Sequence, residues 1–154
     1  MTHQNDLEKD PVASHLNAFW LGETDLWLLA EGRHLRPWEK LGAHPCHLNG
    51  VDGTAFAVWA PNARQVCVVG NFNQWDTNRH AMHLHPTAGV WELFIPDVGE
   101  GALYKFAVQA AGGGYHAFKT DPYALHTENG AGHACIVMRL PAPVTDAQAR
   151  RVER

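Results

Sequence analysis

A tryptophan in a polar turn is the first feature of this sequence that could do chemistry. Trp75 follows Asn73 and Gln74 and precedes Asp76. Amide and carboxylate side chains are costly to bury without hydrogen-bond partners, so an indole among them has little reason to be there for packing. A pyranose ring offers a flat C–H face that can lie on an indole, and hydroxyl groups that amides and carboxylates can bond. The pattern therefore indicates a sugar-binding turn.

The elements that must hold this turn have the pattern of β-strands. Strands are predicted near residues 54–60, 64–70, 80–85, 90–95, 102–109, 115–119 and 133–139, with turn residues between them. Several short strands at regular spacing are typical of an antiparallel sandwich. The apolar run at residues 66–69, just before the turn, predicts a strand covered on both faces. In the fifth strand Lys105 alternates with Tyr104 and Phe106, which predicts that it points away from the core.

The residues ahead of the strands predict a short helical segment. Asp10-Pro11 has the pattern of a helix start, with a capping residue followed by proline. A second helix is predicted over residues 24–31, where Gly32 is placed to end it. Residues 33–45 contain several Pro and Gly residues and are predicted to form an ordered loop against the sandwich.

Length and charge limit the classes of function. The 154 residues are too few for a (β/α)8 barrel, which takes roughly 250 residues. The net charge of -4, from 12 basic and 16 acidic residues, argues against a nucleic-acid partner. We expect no membrane contact, because no apolar run reaches spanning length. The absence of a signal-peptide pattern and three widely spaced cysteines predict a cytoplasmic location.

Five spaced motifs resemble those of one protein family. They are Phe56-Ala-Val-Trp-Ala-Pro-Asn-Ala63, Val-Val-Gly-Asn-Phe-Asn-Gln-Trp75, Gly89-Val-Trp-Glu-Leu-Phe-Ile-Pro96, Leu-Tyr-Lys-Phe106 and Asp121-Pro-Tyr123. With the shorter segments at residues 31–34 and 41–45, they resemble the N-terminal β-sandwich of bacterial 1,4-α-glucan (glycogen) branching enzymes. That sandwich is a family 48 carbohydrate-binding module. The resemblance covers roughly residues 31 to 140.

The resemblance implies a mainly β protein with an immunoglobulin-like antiparallel β-sandwich, preceded by a short helical N-terminal segment. We expect three parts along the chain. Residues 1–45 would form the helical preface and ordered loop, residues 46–140 the carbohydrate-binding sandwich, and residues 141–154 a polar linker toward an absent catalytic barrel.

The implied function is non-catalytic binding of α-1,4-glucans, such as glycogen and maltooligosaccharides. The implied second partner is a catalytic (β/α)8 barrel, normally in the same chain. The whole enzyme would cut an α-1,4 chain and pass it to a 6-hydroxyl group, a branching step of glycogen biosynthesis. This chain alone is not predicted to be an enzyme, because none of its acidic residues can be assigned to the carboxylate pair that such chemistry needs. No cofactor is predicted.

The resemblance also implies particular glucan-binding residues. Trp75 would stack on a glucose ring, and Lys105 would donate a hydrogen bond to a glucose hydroxyl. Related modules usually carry a second stacking Trp after the next turn, where this chain has Tyr115, which would stack on a sugar over a smaller area. Asn129, before the last strand, would supply an amide to a sugar hydroxyl.

Two alternatives remain open from the sequence. The sandwich could pack on a catalytic barrel without binding sugar, or it could belong to a debranching or trehalose-forming enzyme of the α-amylase group. The first alternative concerns Trp59 and Trp91, whose mid-strand positions suit either the core or an interface with the barrel. The core is the favoured interpretation for both.

Some of the histidines are spaced closely enough to be considered as metal ligands. His83 and His85 alternate along one predicted strand, and His44 and His47 flank Cys46. Neither group has a third ligand at a familiar spacing, whereas zinc needs three or four protein ligands. No metal site is predicted, and the two strand histidines are expected to be solvated.

Overall fold

The computed structural model describes residues 19–128 and 133–140. Helix α1 spans Glu23–Ala30 and a short 3-10 helix spans Pro37–Glu39. The strands are β1 Gly42–Leu48, β2 Val51–Trp59, β3 Ala63–Gly70, β4 His83–His85, β5 Val90–Pro96, β6 Leu103–Ala110, β7 Ala117–Lys119, β8 His126–Thr127 and β9 Cys135–Ile136. The helix predicted from Pro11 falls mainly outside the described residues, whereas the helix predicted over 24–31 is confirmed within one residue.

The strands form two antiparallel sheets. The first sheet has the order β1-β2-β5-β4, and the second has the order β3-β6-β9-β8 with β7 also paired to β6. The predicted immunoglobulin-like sandwich with a short helix near the N-terminus is confirmed. Neighbouring strands β2 and β3 lie in different sheets, so the turn at residues 60–62 crosses from one sheet to the other.

Strand β3 is buried on both faces, as its apolar run predicted. Val66 and Val68 face the space between the sheets, whereas Cys67 and Val69 belong to a separate cluster on the opposite face. All four side chains are fully buried. The core between the sheets consists of Phe56, Val58, Trp91 and Ile95 from the first sheet and Val66, Val68, Tyr104, Phe106, Cys135 and Val137 around the second. Burying a side chain of this size stabilises the fold by about 1.5–3 kcal/mol.

Strand β1 corrects the prediction of a loop over residues 33–45. The chain from Gly42 onward is a strand paired along its length with β2, so the sandwich begins before residue 46. Gly42 and Pro45 are typical of loops. However, β1 is an edge strand, and an edge strand tolerates proline because one of its sides has no neighbouring strand to accept a hydrogen bond.

Two further segments differ from the predicted strands. The stretch predicted at residues 80–85 serves both sheets, because Ala81 bridges to β3 while His83–His85 pairs with β5. The last predicted strand is reduced to Cys135–Ile136, and the two-residue β8 was not predicted.

The N-terminal segment covers the outer face of the first sheet. Leu21, Leu26 and Leu29 pack against a cluster that includes Ala57 and Val90. The sequence predicted a helical preface, but only the structure shows that it closes this face of the sheet. No helix among the described residues is long and apolar enough to cross a membrane.

The two mid-strand tryptophans have different environments. Trp91 lies in the core between the sheets and its Nε1 donates a hydrogen bond to the Ala60 carbonyl at 2.9 Å. Trp59, at the end of β2, is 62% exposed. The core interpretation is therefore confirmed for Trp91 and wrong for Trp59, which projects to the outer face of the first sheet at the last position of β2, beyond the buried part of the strand.

Candidate functional site

Trp75 lies on the outer face of the second sheet. The turn that carries it follows β3, and the indole packs against Cys67, Val69 and Ala107. The side chain is half-buried. One face of the ring is therefore supported by the sheet, and part of its surface stays accessible to a ligand.

Asn73 holds the turn in place from below. Its side chain is fully buried: Oδ1 accepts a hydrogen bond from the Gly70 N–H at 3.0 Å, and Nδ2 donates to the Val68 carbonyl at 2.9 Å. Nδ2 also lies 2.7 Å from Nδ1 of His80, which accepts a hydrogen bond in its neutral form. Burial, with a smaller effect of the Arg79 charge, lowers the pKa of His80 and favours that neutral form.

The burial of Asn73 differs from the expectation that the amide side chains around Trp75 stay out of the core. Asn73 is buried because each of its polar atoms has a partner, which removes the penalty expected for a buried amide. Gln74 is exposed, and Asp76 forms an ion pair with Arg79 at 3.4 Å. Gln74 and Asp76 are therefore the polar neighbours of Trp75 that remain accessible.

The backbone of the turn is strained at the indole. Gln74 has φ of 56° and Trp75 has φ of 58°, both in the left-handed region. That region is unfavourable for a bulky residue and persists only where the surrounding structure enforces it. Here the Trp75 N–H donates to the Gly70 carbonyl at 3.0 Å, which closes the turn and fixes the indole on the sheet.

Lys105 shares the face that carries Trp75. Strand β6 pairs with β3 so that Lys105 stands opposite Val69, and Val69 is one of the residues under the indole. Directly paired residues of an antiparallel sheet project from the same face. The structure thus brings Trp75 and Lys105 to one surface, although they are 30 positions apart in the sequence.

Phe118 is a further aromatic residue on this face, and the sequence interpretation missed it. Phe118 lies on β7 and pairs with Ala107 of β6. Ala107 pairs on its other side with Cys67 of β3, which lies beneath Trp75. The Phe118 side chain is 45% exposed. The signal was present in the alternation of residues 117–119, but the face of Phe118 follows only from the pairing of β7 with β6. We call the surface formed by Trp75, Lys105 and Phe118 the aromatic face.

The other two predicted site residues are placed differently. Tyr115 lies in the turn before β7 and is 92% exposed. Gly113 and Gly114, which precede it, both have positive φ, so this turn uses backbone that glycine adopts readily. Asn129 lies outside the described residues.

Two buried ionisable groups, one beneath the Trp75 indole and one beside the core between the sheets, are engaged in structural hydrogen bonds. Burial raises the pKa of the Cys67 thiol, which donates a hydrogen bond to the Thr77 carbonyl at 3.1 Å. Burial also raises the pKa of Asp121, whose carboxylate accepts hydrogen bonds from the Tyr104 hydroxyl at 2.5 Å and the Tyr123 N–H at 2.9 Å. Among the described residues, no three His, Cys, Asp or Glu side chains are placed to hold a metal ion.

The aromatic face can therefore bind a ligand with flat apolar surfaces and hydrogen-bonding groups. Its two rings offer stacking surfaces, and the ammonium group of Lys105 is a hydrogen-bond donor without an ion-pair partner among the described residues. These groups suit a sugar, whose C–H face can stack on an aromatic ring and whose hydroxyl groups can accept a hydrogen bond from Lys105.

Comparison with known proteins identifies relatives of the sandwich. Residues 40–124 match the family model of carbohydrate-binding module 48 (isoamylase N-terminal domain). Apo pullulanase from Paenibacillus barengoltzii is similar with a TM-score of 0.53 and 20% sequence identity, over 80% of this chain and 20% of that chain. Pullulanase from Klebsiella pneumoniae complexed with maltotriose is similar with a TM-score of 0.49 and 26% identity, over 63% of this chain and 9% of that chain. The chain thus spans a fifth or less of these solved chains.

Proposed function

The chain belongs to the family of carbohydrate-binding module 48, the isoamylase N-terminal domain, and from this premise we propose that it binds α-1,4-glucan chains on its aromatic face. A module of this family is part of an α-glucan-acting enzyme and is not catalytic by itself. The observation that carries the proposal is the convergence of Trp75 and Lys105 on one surface, from elements that are distant in sequence.

The geometry suggests how a glucan would bind. A glucose ring stacks on the indole of Trp75, which the sheet supports from below. Lys105 donates a hydrogen bond to a hydroxyl group of the same chain, and Phe118 offers a second apolar surface across Ala107. One stacked ring and a few hydrogen bonds of about 1 kcal/mol each amount to roughly -4 to -5 kcal/mol, or a Kd near the millimolar to high-micromolar range. A branched polymer strengthens such weak binding through multiple contacts.

We further propose that the module serves a 1,4-α-glucan branching enzyme of glycogen biosynthesis in the cytoplasm, with the catalytic barrel as its partner. The support is the resemblance of Leu41-Gly-Ala-His-Pro45 and the Asn-Phe-Asn-Gln-Trp75 turn to branching enzymes. A debranching enzyme is the rival, because the family description names isoamylase. Joining the module to each type of catalytic domain would separate the two. Stimulation of α-1,6 bond formation supports the first, and stimulation of α-1,6 hydrolysis supports the second.

A second candidate function is packing on a catalytic domain. Helix α1 is rich in apolar residues, yet none of its residues is fully buried. Trp27 is 55% exposed, and Leu35, in the segment after the helix, is 89% exposed. A catalytic domain packed on this side would cover these exposed apolar side chains.

The test of glucan binding is a fluorescence titration of the whole chain with maltoheptaose, with cellohexaose as the control ligand. We expect a saturable change with maltoheptaose alone. Trp75→Ala should remove the part of the fluorescence change that comes from the aromatic face, and Lys105→Ala should weaken binding there about fivefold. Trp27→Ala, which removes an exposed indole elsewhere, should leave the Kd unchanged. A fluorescence response of Trp75→Ala identical in size and Kd to that of the wild type would contradict the proposal.

A further inference from the structure

A groove on the other side of the sandwich contains a second exposed tryptophan. Trp59 ends β2 in the first sheet and stands opposite Val90, which belongs to the cluster covered by the N-terminal segment. Trp59 is therefore on the outer face of the first sheet, whereas Trp75 is on the outer face of the second. An indole that is 62% exposed contributes little to the core, and its ring is accessible to a ligand.

The groove has the dimensions of a small-ligand site. Its cavity volume is about 510 Å3, within the range of about 300–1,000 Å3 that is usual for ligand pockets. The C-terminal end of α1 and the residues after it form one wall, and Trp59 and Tyr123 lie among the residues that complete it. The lining residues are Leu29, Ala30, Glu31, Gly32, His34, Pro37, Leu41, Trp59, Ala88 and Tyr123.

The polar groups of the groove distinguish it from a purely apolar surface. Among the described residues, the Trp59 Nε1, the Tyr123 hydroxyl and the Glu31 carboxylate have no hydrogen-bond or ion-pair partner. His34 does have partners, since Nε2 lies 3.3 Å from Asp25 Oδ1 and Nδ1 accepts from the Arg36 N–H. The groove thus offers two aromatic rings, an indole donor, a hydroxyl and a carboxylate acceptor.

These groups fit a ligand with flat C–H faces and several hydroxyl groups. A hydroxyl group can accept a hydrogen bond from the indole N–H and donate one to a carboxylate. A pyranose carries several such hydroxyl groups around its ring. We propose that the groove is a second α-glucan site, centred on Trp59 and Tyr123 and separate from the aromatic face. The ligand class rests on the proposed function of the module, whereas the location rests on the groove alone.

Two sites on opposite faces have a consequence for polymer binding. Trp59 lies on the outer face of the first sheet and the Trp75 indole packs on the outer face of the second, so both sheets, which stack about 10 Å apart in a sandwich, stand between the two rings. The two faces also point away from each other. A short oligosaccharide therefore occupies either site by itself, whereas a branched glucan can engage both sites or link two molecules.

The test follows individual indole N–H signals in a 15N-correlation NMR spectrum of the whole chain during titration with maltoheptaose. Trp59→Ala, Trp75→Ala and Trp27→Ala assign the three signals by their disappearance. We expect the Trp59 and Trp75 signals to move and saturate while the Trp27 signal stays in place. In Trp75→Ala the Trp59 signal should shift as in the wild type. Cellohexaose should move neither signal.

A second measurement tests binding to a branched polymer, glycogen. The wild type should cosediment with glycogen at least fivefold more strongly than Trp59→Ala or Trp75→Ala alone. Tyr123→Phe keeps the ring and removes the hydroxyl, so it should weaken the Trp59 response about fivefold while the Trp75 response is unchanged. Because Trp59 is exposed, Trp59→Ala should keep the wild-type melting temperature.

The outcomes separate this inference from the proposed function. A Trp75 signal that saturates while the Trp59 signal does not move overturns the second site and leaves the aromatic face intact. A Trp59 signal that saturates while the Trp75 signal does not move overturns the binding site on the aromatic face and supports the groove. If Trp59→Ala changes only self-association, seen by sedimentation velocity, the groove is a protein contact and the glucan assignment is wrong.

Discussion

The buried carboxylate of Glu92 accepts a hydrogen bond from the backbone N–H of Leu21 at 3.0 Å, across 71 positions of sequence. Its other oxygen lies 2.8 Å from Nε2 of His85. Only 2% of the Glu92 side chain is exposed, so this buried polar group in the first sheet depends on the N-terminal segment for one of its two partners. His85, predicted to be solvated, is mostly buried in this arrangement. The folded unit therefore extends well ahead of residue 40, where the family match begins.

Replacing Glu92 should release the N-terminal segment. Glu92→Ala leaves the Leu21 N–H without its acceptor, and we expect a loss of about 3 kcal/mol in the free energy of unfolding. Glu92→Gln keeps one acceptor oxygen and should cost about 1 kcal/mol. The measurement is the urea midpoint. The control is Glu100→Gln, which removes an exposed ion pair with Arg139 and should change stability by less than about 0.5 kcal/mol. Wild-type stability of Glu92→Ala would show that the contact does not hold the segment.

Replacing Asn73 should affect both stability and sugar binding. Asn73→Ala leaves the Gly70 N–H and the Val68 carbonyl without partners inside the protein, so we expect a loss of about 2–3 kcal/mol. Because the strained turn then relaxes, maltoheptaose should bind the folded variant more weakly, although Asn73 is too buried to touch a ligand. Asn78→Ala, on the exposed side of the same turn, is the matched control and should change neither property. Unchanged affinity in Asn73→Ala would show that the turn does not need this support.

The stability of the protein should decrease in mild acid because of His44. Its ring stacks on Trp20 with centroids 5.6 Å apart, and Nε2 donates to the Leu41 carbonyl at 2.8 Å. Burial lowers the pKa of His44. Below about pH 6.5, the ordinary pKa of histidine, the unfolded chain takes up a proton that the folded protein resists, so stability falls with pH until the folded pKa is reached.

The measurement that isolates His44 is the urea midpoint from about pH 7 to about pH 5 in the wild type and in His44→Gln. We expect a smaller decrease in the variant, which no longer titrates at this position. Burial also lowers the pKa of His80, so His80 further decreases the stability as the pH falls. Burial raises the pKa of Asp121, so Asp121 increases the stability as the pH falls. The difference between the two curves is therefore the test. Parallel curves would contradict this assignment.

Phe118 should contribute more to glucan binding than Tyr115. Phe118 shares the aromatic face, in register with Ala107, whereas Tyr115 stands in the turn outside β7. We expect Phe118→Ala to raise the Kd for maltoheptaose about five- to tenfold and Tyr115→Ala to change it less than twofold. Both residues are exposed, so both variants should fold normally. The opposite ranking in a calorimetric or fluorescence titration would restore Tyr115 as the second stacking residue.

The sequence by itself determined the strands and much of their orientation. A period of two along β6 placed Lys105 away from the core, and the apolar run of β3 indicated burial on both faces, because these patterns depend only on neighbouring residues. The turn at Trp75 was also recognisable, since its residue types differ sharply from those of the strand before it. The edge strand β1 was missed because Gly42 and Pro45 are typical of loops, and its pairing with β2 overrides that local preference.

Only the tertiary structure decided which side chains meet. Trp75, Lys105 and Phe118 reach one face because β3, β6 and β7 pair in a particular register, and no local pattern specifies register between distant strands. The same is true of Asn73, which is buried only because His80 and the end of β3 supply partners, and of Trp59, which is exposed although its strand is largely buried. Local periodicity selects the face of an element, but long-range pairing determines what covers that face.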